Sequence, residues 1–497
     1  MKLDFSIIIF LIFGMTGTVS TALTQGRLIL SDQMVAAYNE ISALRIQEGK
    51  RILQKSDYAA NNNWMGLYIE NYIDFFTLFI QEDKALYNKL LPNRNYRLKK
   101  IRNADSNSPY YRFCQAEIIL QWAIIKLKFN DKVSAARDIY EAYNLLEENQ
   151  QKYPDFILNN KSQSIIHALA ENIPSWVRRL LKINGSIQKG TKEIKALADY
   201  TLENQHMFKN EVVAIYSYIQ FYSNNKKQDA YDLLDKYKLD HRTNPLIAFL
   251  KATMAQKNGY NETAIKILEE RPQSNNYLQM HYLDFLLGKF KLYRLDKDAD
   301  EFILQFVNHF KGQHYRKEAY QKLAWHSLVV RNDRNAYLKY MEKCKNLGTT
   351  LIDEDKQAFR EARNNEIPDI HLLKSRLLYD GGYYQRAYDV IANHAQEYVN
   401  SSNEGEYYYR MARIQDALNK DNEAVKYYKI TIEKSNPNKY YACSAALNTG
   451  LIYERKYKYK DAEFYFNKCL QLNAEGYGNS LHQKAKSGIE RINNNKN

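Results

Sequence analysis

Proline and glycine are scarce in this 497-residue chain, at 8 and 18 residues. That scarcity excludes a fold with a β-turn at every corner, where proline and positive-φ glycine are needed. Cysteine is scarcer still. Cys114, Cys344, Cys443 and Cys469 are the full set, and no Cys-x-x-Cys pair or zinc-type spacing occurs among them. Cys469 falls on an apolar helix face, where a thiol acts as a small hydrophobe. A disulfide between Cys443 and Cys469 is permitted in an oxidising compartment. Beyond residues 5–19 no segment approaches the roughly 20 apolar residues of a membrane-spanning helix.

Catalytic signatures are missing as well. The chain has no Gly-rich phosphate loop, no Gly-x-Ser-x-Gly elbow and no His-Glu-x-x-His sequence. The closest pair among ten histidines, His309 and His314, lacks the i,i+4 spacing that puts two metal ligands on one helix face, and reads as surface. Asp353, Glu354 and Asp355 read as a solvated acidic loop rather than a general acid and base. The expectation is a protein that is not an enzyme and uses no cofactor and no metal.

What the sequence has is length, positive charge and tyrosine. At 497 residues it exceeds what one globular core supports, so it is either several domains or one elongated array. Net charge is +14. The basic residues are dispersed in short groups, such as Arg97, Lys99, Lys100 and Arg102, or Lys456, Lys458 and Lys460, and no nucleic-acid-binding module accompanies them, so no nucleic-acid partner is expected. Tyrosine numbers 42 against 20 phenylalanines. That excess fits both an AT-rich coding composition and a surface rich in amphipathic aromatic contacts.

The N-terminus reads as an address. Met1 to Asp4 lead into the apolar run 5–19, and Ser20-Thr21-Ala22 supplies the small-x-small pattern of a signal-peptidase site. This predicts an exported protein, periplasmic or cell-surface associated, with residues 1–22 removed. An uncleaved N-terminal anchor is the alternative.

Self-alignment exposes a repeat. In a 34-residue helix–turn–helix unit, the first helix carries a large residue and then a small one where the two helices touch, and the second carries Ala followed four residues later by an aromatic or Leu. Tyr408, Met411 and Ala412 with Ala424 and Tyr428 fit this, as do Gly450 and Tyr453 with Ala462 and Phe466. Tyr320, Leu323 and Ala324 with Ala336 and Tyr340 fit, and so does Ala252 with Ala264 and Leu268. Weaker copies centre on Ala230, Ala299 and Ala387. The second-helix alanines 230, 264, 299, 336, 387, 424 and 462 are spaced by 34, 35, 37, 51, 37 and 38, so the interval of 51 holds an insertion, assigned to 348–368. Upstream, Trp122, Ala123, Ala135 and Ile139 resemble one unit, and helical periodicity runs through 34–53, 64–79 and 165–181. Asn61 to Asn63 and the stretch 103–109 separate helices.

Two segments resemble the tetratricopeptide repeat protein 39 family, which includes the fungal inclusion-body-clearance proteins. One is Ile173-Pro174-Ser175-Trp176 through Leu180-Leu181, then Gly185 and Gly190. The other is Tyr441-Ala442, Ala445-Ala446-Leu447, Gly450, Tyr453, Ala462-x3-Phe466 and Lys484-Ala485-Lys486. The resemblance implies a helical-repeat fold and a non-catalytic adaptor role. The family's eukaryotic members are intracellular, so their aggregate- and lipid-related roles do not transfer to a chain that begins like an exported one.

The sequence therefore predicts an all-α fold, a right-handed α-α solenoid of TPR-like helical hairpins. Its segments are a signal peptide at 1–22, an atypical helical-repeat region at 23–200, repeats at 201–347, an insertion at 348–368, and C-terminal repeats with a capping helix at 369–497. First helices of successive units line the concave face of such an array. By register, Trp325, Arg376, Tyr379, Tyr409, Arg413 and Asp416 form the candidate site for a protein or peptide partner, with Tyr409, Arg413 and Asp416 on one exposed stripe. The alternative function is a glycan-binding protein or enzyme accessory that stacks sugars in an aromatic groove.

Overall fold

A computed structural model describes residues 25–170, 184–224, 226–436, 439–472 and 478–496. The proposed leader at 1–22 and the segment 173–181 lie outside the described residues. Those described form an all-α solenoid in which consecutive helices pack as antiparallel pairs. Two isolated bridges, Gly26 to Ala104 and Arg27 to Asn63, are the only β pairing among them.

The N-terminal region comprises α1 (Asp32–Ser42), α2 (Ile46–Lys55), α3 (Met65–Gln81), α4 (Lys84–Arg102), α5 (Tyr110–Lys128), α6 (Lys132–Lys152), α7 (Asn160–Leu169) and α8 (Ile187–Glu203). The hairpins α9 (Lys209–Tyr222) with α10 (Lys227–Lys236), α11 (Pro245–Lys257) with α12 (Asn261–Glu269), α13 (Tyr282–Arg294) with α14 (Ala299–His309), and α15 (Arg316–Val329) with α16 (Arg334–Asn346) follow. A single helix, α17 (Asp353–Asn364), then interrupts the pairing inside the predicted insertion. Beyond it come α18 (Ile370–Asp380) with α19 (Tyr384–Ala392), a short α20 (Ala395–Tyr398), α21 (Glu404–Ala417) with α22 (Asp421–Lys434), α23 (Tyr441–Arg455) with α24 (Tyr459–Gln471), and a terminal α25 (Gly478–Lys496).

One turn recurs throughout. Leu44, Asn130, Gly259, Gly382, Asn419 and Tyr457 each adopt positive φ immediately after a first helix. Each donates its N–H to the carbonyl three residues back, and the next residue donates to the carbonyl five residues back, as in Asn419 to Asp416 (3.0 Å) and Lys420 to Gln415 (2.8 Å). This Schellman closure satisfies carbonyls that the helix end leaves open, and it fixes where the second helix starts. Five residues beyond the positive-φ position stand Gly49, Ala135, Ala264, Ala387, Ala424 and Ala462, all buried where the paired helices touch. At Gly49 an added Cβ would lie 2.9 Å from the Ala37 carbonyl oxygen and closer still to Ile41. The hairpin rule therefore reaches the start of the described chain, with glycine in place of alanine.

The same rule corrects the predicted register of one unit. Asn332 is the positive-φ residue before α16, and five residues on is Tyr337, not Ala336. Tyr337, Met341 and Cys344 are buried, whereas Ala336 and Tyr340 are half-buried on the flank. The inserted α17 packs against both α15 and α16, with Ala358 and Ala362 buried.

Asp355 is a second correction. It is buried on α17 instead of solvated in a loop, and it accepts N–H bonds from Tyr315 (2.7 Å) and Glu318 (3.0 Å), capping the start of α15. Burial brings its pKa up to about 6 against the pull of those N–H groups. His314 is a third: it is buried and faces the Glu82 carboxylate at 3.1 Å.

The N-terminal helices are tied by a buried charge cluster. Lys161 on α7 pairs with Glu117 on α5 and with Glu211 on α9 at 2.8 Å. Tyr38 on α1 donates to Glu211 at 2.8 Å, and Lys161 donates to the Tyr72 hydroxyl of α3 at 2.8 Å. Four helices thus meet at one ammonium, and α1 joins them through Glu211. An apolar core runs continuously from Leu28 to Met254 around it, and among the described residues half of the twelve largest fully buried side chains are tyrosines. Tyrosine abundance is in good part a property of the core.

The array also turns back on itself. Gln256 at the end of α11 donates to the Asp380 carbonyl at 2.7 Å, and Asn261 reaches the Tyr383 hydroxyl at 3.1 Å, so the α11/α12 turn meets the α18/α19 turn past two intervening hairpins. Gly382 has φ +81°, and a Cβ there would stand 2.7 Å from the Gly259 carbonyl oxygen, which restricts this junction to glycine.

Candidate binding site on the first-helix face

The first helices contact each other in sequence, α13 with α18, α15 with α18, α18 with α21 and α21 with α23. Side chains spaced three and four apart on those helices therefore form rows across unit boundaries. The insertion helix α17 lies beside α15 and supplies Glu361 to the rows.

Trp325 on α15 is the hub of one row. It is 1% exposed, and its indole N–H donates to Glu361 at 2.6 Å, with Gln321 donating to the other oxygen of the same carboxylate at 2.7 Å. The Lys322 ammonium lies 3.8 Å from the ring centre and the Arg376 guanidinium 4.6 Å, both within cation–π range. Tyr379, one turn along α18 from Arg376, carries the Arg413 guanidinium of α21 at 4.0 Å, and Tyr409 lies 5.8 Å from the same guanidinium. Five of the six predicted residues thereby fall into two cation–ring groups that meet on α18, Trp325 with Arg376, and Tyr379 with Arg413 and Tyr409.

The prediction of a single exposed stripe for Tyr409, Arg413 and Asp416 is not met. Tyr409 is 4% exposed; its hydroxyl bonds Ser444 at 2.9 Å and its ring packs against Tyr440 and Tyr441 in the joint with α23. Asp416 is half-buried and pairs with Arg455 at 3.1 Å, closing the same joint at its other end. Trp325 is likewise packed inside. Arg376, Tyr379 and Arg413 keep partial exposure while stacked across the α15/α18 and α18/α21 contacts. The residues three and seven positions before Arg413 were missed by sequence reasoning. Arg410 forms a pair of bonds with Glu406 at 3.1 and 2.6 Å, and the spacing Glu406, Arg410, Arg413 was the available signal.

The charges here are unequally satisfied. Glu318 bonds Lys289 at 2.7 Å and lies 3.6 Å from Lys322, and those two ammonium groups hold its pKa low although burial pushes it up. Burial brings Lys322 down to about 8, with Glu318 opposing and the cations Lys289 and Arg376 assisting. Arg376 approaches a carboxylate only at 3.9 Å, to Asp380. Among the described residues no carboxylate lies within 4.0 Å of the Arg413 guanidinium. Lys289, Lys322, Arg376, Arg410 and Arg413 share Glu318, Glu361, Glu406 and Asp380, so cations outnumber carboxylates on this face.

Among the described residues no His, Cys, Asp and Glu cluster is arranged to hold a metal ion, and no helix is long and apolar enough to cross a membrane. In comparison with known proteins, the chain matches no family model and no curated protein.

Proposed function

We propose that the protein is a non-catalytic, exported helical-repeat adaptor that binds an acidic peptide segment of a protein partner on the first-helix face of α15, α18 and α21. The observation that carries this reading is the pair Arg376 and Arg413, whose guanidiniums rest on Trp325 and Tyr379, the first with a carboxylate no nearer than Asp380 at 3.9 Å and the second with no ion pair among the described residues. A guanidinium held flat against a ring keeps its N–H edge available for the forked hydrogen bonds that carboxylates accept. Helical-repeat arrays bind through such faces, and the lower rotamer freedom of a stacked arginine reduces the entropic cost of binding.

The test is fluorescence polarisation of labelled acidic and basic hexapeptides against wild type and an Arg376→Ala, Arg413→Ala double variant. Wild type is expected to prefer the acidic peptide, and the double variant to lose it by roughly 30-fold, the weight of one strong anchor of about 2 kcal/mol. Equal affinity of the folded double variant overturns the site. The extracytoplasmic location is proposed from residues 1–22, and the N-terminus of protein from an extracytoplasmic fraction is expected at or near Leu23. Met1 on a purely cytosolic form overturns that part.

A further inference from the structure

Four cysteines are buried in this protein, and two of them touch. Cys443 on α23 and Cys469 on α24 bring their sulfurs to 3.5 Å, with no disulfide between them. Cys114 and Cys344 belong to separate parts of the core, the first among the N-terminal helices and the second between α15 and α16. The contact falls one turn beyond Phe466 in the last hairpin, where Ala462, Phe466 and Cys469 continue the buried face of α24. In the preceding hairpin the corresponding run is Ala424, Tyr428 and Thr431. The last unit therefore places a thiol at the third contact position and a second thiol on the facing helix.

We infer that Cys443 and Cys469 are a redox-closable staple of the C-terminal hairpin, oxidised to a disulfide by exchange with a small-molecule disulfide such as oxidised glutathione. Two further features support the geometry. Hydrogen bonding from Cys469 favours the Cys443 thiolate, with His482 of α25 adding to it and burial opposing, which shifts the Cys443 pKa downward. The thiolate is the attacking species in exchange. The surroundings also define a gate: Ala485 and Ile492 of α25 belong to the same buried cluster as the pair and Leu481 packs against it, the Leu481 carbonyl lying 3.9 Å from the Cys469 sulfur, and α25 is held to α23 by a two-pronged Arg491 to Glu454 bridge at 2.7 and 2.8 Å.

The exchange balances as follows. The Cys443 thiolate attacks one sulfur of the disulfide, forming a mixed disulfide and expelling one thiolate. Cys469, losing its proton, attacks the Cys443 sulfur, forms the intramolecular bond and expels the second thiolate. Two protein thiols are oxidised and one disulfide is reduced to two thiols. A cross-link between residues 443 and 469 restricts the opened hairpin and so favours the closed one.

The experiment treats the folded full chain with oxidised glutathione, quenches with acid, denatures, alkylates and maps the peptides by mass spectrometry. The expected result is a 1:1 link between the peptides holding Cys443 and Cys469, with Cys114 and Cys344 alkylated. Oxidation is expected to slow hydrogen exchange across α23 and α24 by on the order of a hundredfold, reversibly with dithiothreitol. Arg491→Ala, which loosens the cover, is expected to speed closure. Cys469→Ser should stop at a glutathione adduct on Cys443, a readout that survives even if the variant hairpin is less stable. Four alkylated cysteines after prolonged oxidation of both wild type and Arg491→Ala overturn the inference, as does a link that involves Cys114 or Cys344 instead.

Discussion

The Tyr409 hydroxyl and the Ser444 hydroxyl share a 2.9 Å hydrogen bond inside the joint between α21 and α23. Both groups are buried, so each depends on the other for its hydrogen bonding. Tyr409→Phe keeps the ring and leaves Ser444 alone, at an expected cost of about 1–2 kcal/mol in denaturant unfolding. Tyr409→Ala also empties ring volume and should cost about 3–5 kcal/mol. Binding of the acidic peptide is expected to survive Tyr409→Phe, because Arg413 still stacks on Tyr379. Loss of binding with an unchanged melting temperature would return Tyr409 to the recognition surface.

The helix-contact register of α16 gives a second expectation. Tyr337 occupies the position that alanine holds in its neighbours, and Tyr340 lies on the flank. Tyr337→Ala should therefore lose about 3 kcal/mol or more, and Tyr340→Ala less than about 1 kcal/mol. Likewise Ala462→Leu should overpack the last hairpin by about 1–3 kcal/mol, while Ala336→Leu should be nearly silent. Equal effects within either pair, measured by urea unfolding, would refute the Asn332-based register.

These contrasts also explain which part of the fold was legible in the sequence. Ala264, Ala387, Ala424 and Ala462 announce their hairpins because only a small side chain fits where two helices cross, so packing leaves a residue-type mark at a fixed spacing. Gly49 satisfies the same requirement with a different residue, which hides the α1/α2 hairpin from a search for alanine. Tyr337 breaks the mark because α17 changes what packs beside α16. The positive-φ residue five positions upstream marks six of the hairpins, but Leu295 stands four before the buried Ala299, and Leu44 and Tyr457 carry the conformation without being glycine or asparagine, so nothing in their chemistry advertises it.

The site was legible only as a set of helix positions. Register put Trp325, Arg376, Tyr379, Tyr409 and Arg413 near one another, which follows from helical geometry alone. How deeply each is packed depends on neighbouring units: Ser444 and Tyr441 cover Tyr409 from α23, and Glu361 reaches Trp325 from an inserted helix that carries no repeat signature. Asp416 shares a helix face with Arg413 by spacing, but Arg455, 39 residues on, draws it into the hairpin joint.

Lys322 gives the pH-dependent expectation. Its ammonium is buried beside Trp325, where burial, offset by Glu318 and reinforced by Lys289 and Arg376, brings its pKa from 10.5 down to about 8. Below pH 8 it is protonated in both folded and unfolded chains, and the folded state bears the cost of an enclosed charge. Between about pH 8 and 10.5 the folded lysine is neutral while the unfolded one still binds a proton, so stability attributable to this group rises with pH, by at most about 1.4 kcal/mol per unit. Lys322→Met removes the titration and keeps an unbranched apolar chain against the indole. Denaturation midpoints of the two proteins at pH 7, 8, 9 and 10 should therefore diverge, with wild type gaining roughly 2–3 kcal/mol on the variant across the series. Comparing the two proteins at each pH removes the shared titration of tyrosines and other lysines. Parallel pH profiles would mean that Lys322 keeps an ordinary pKa, and that the cations lining this face do not crowd one another.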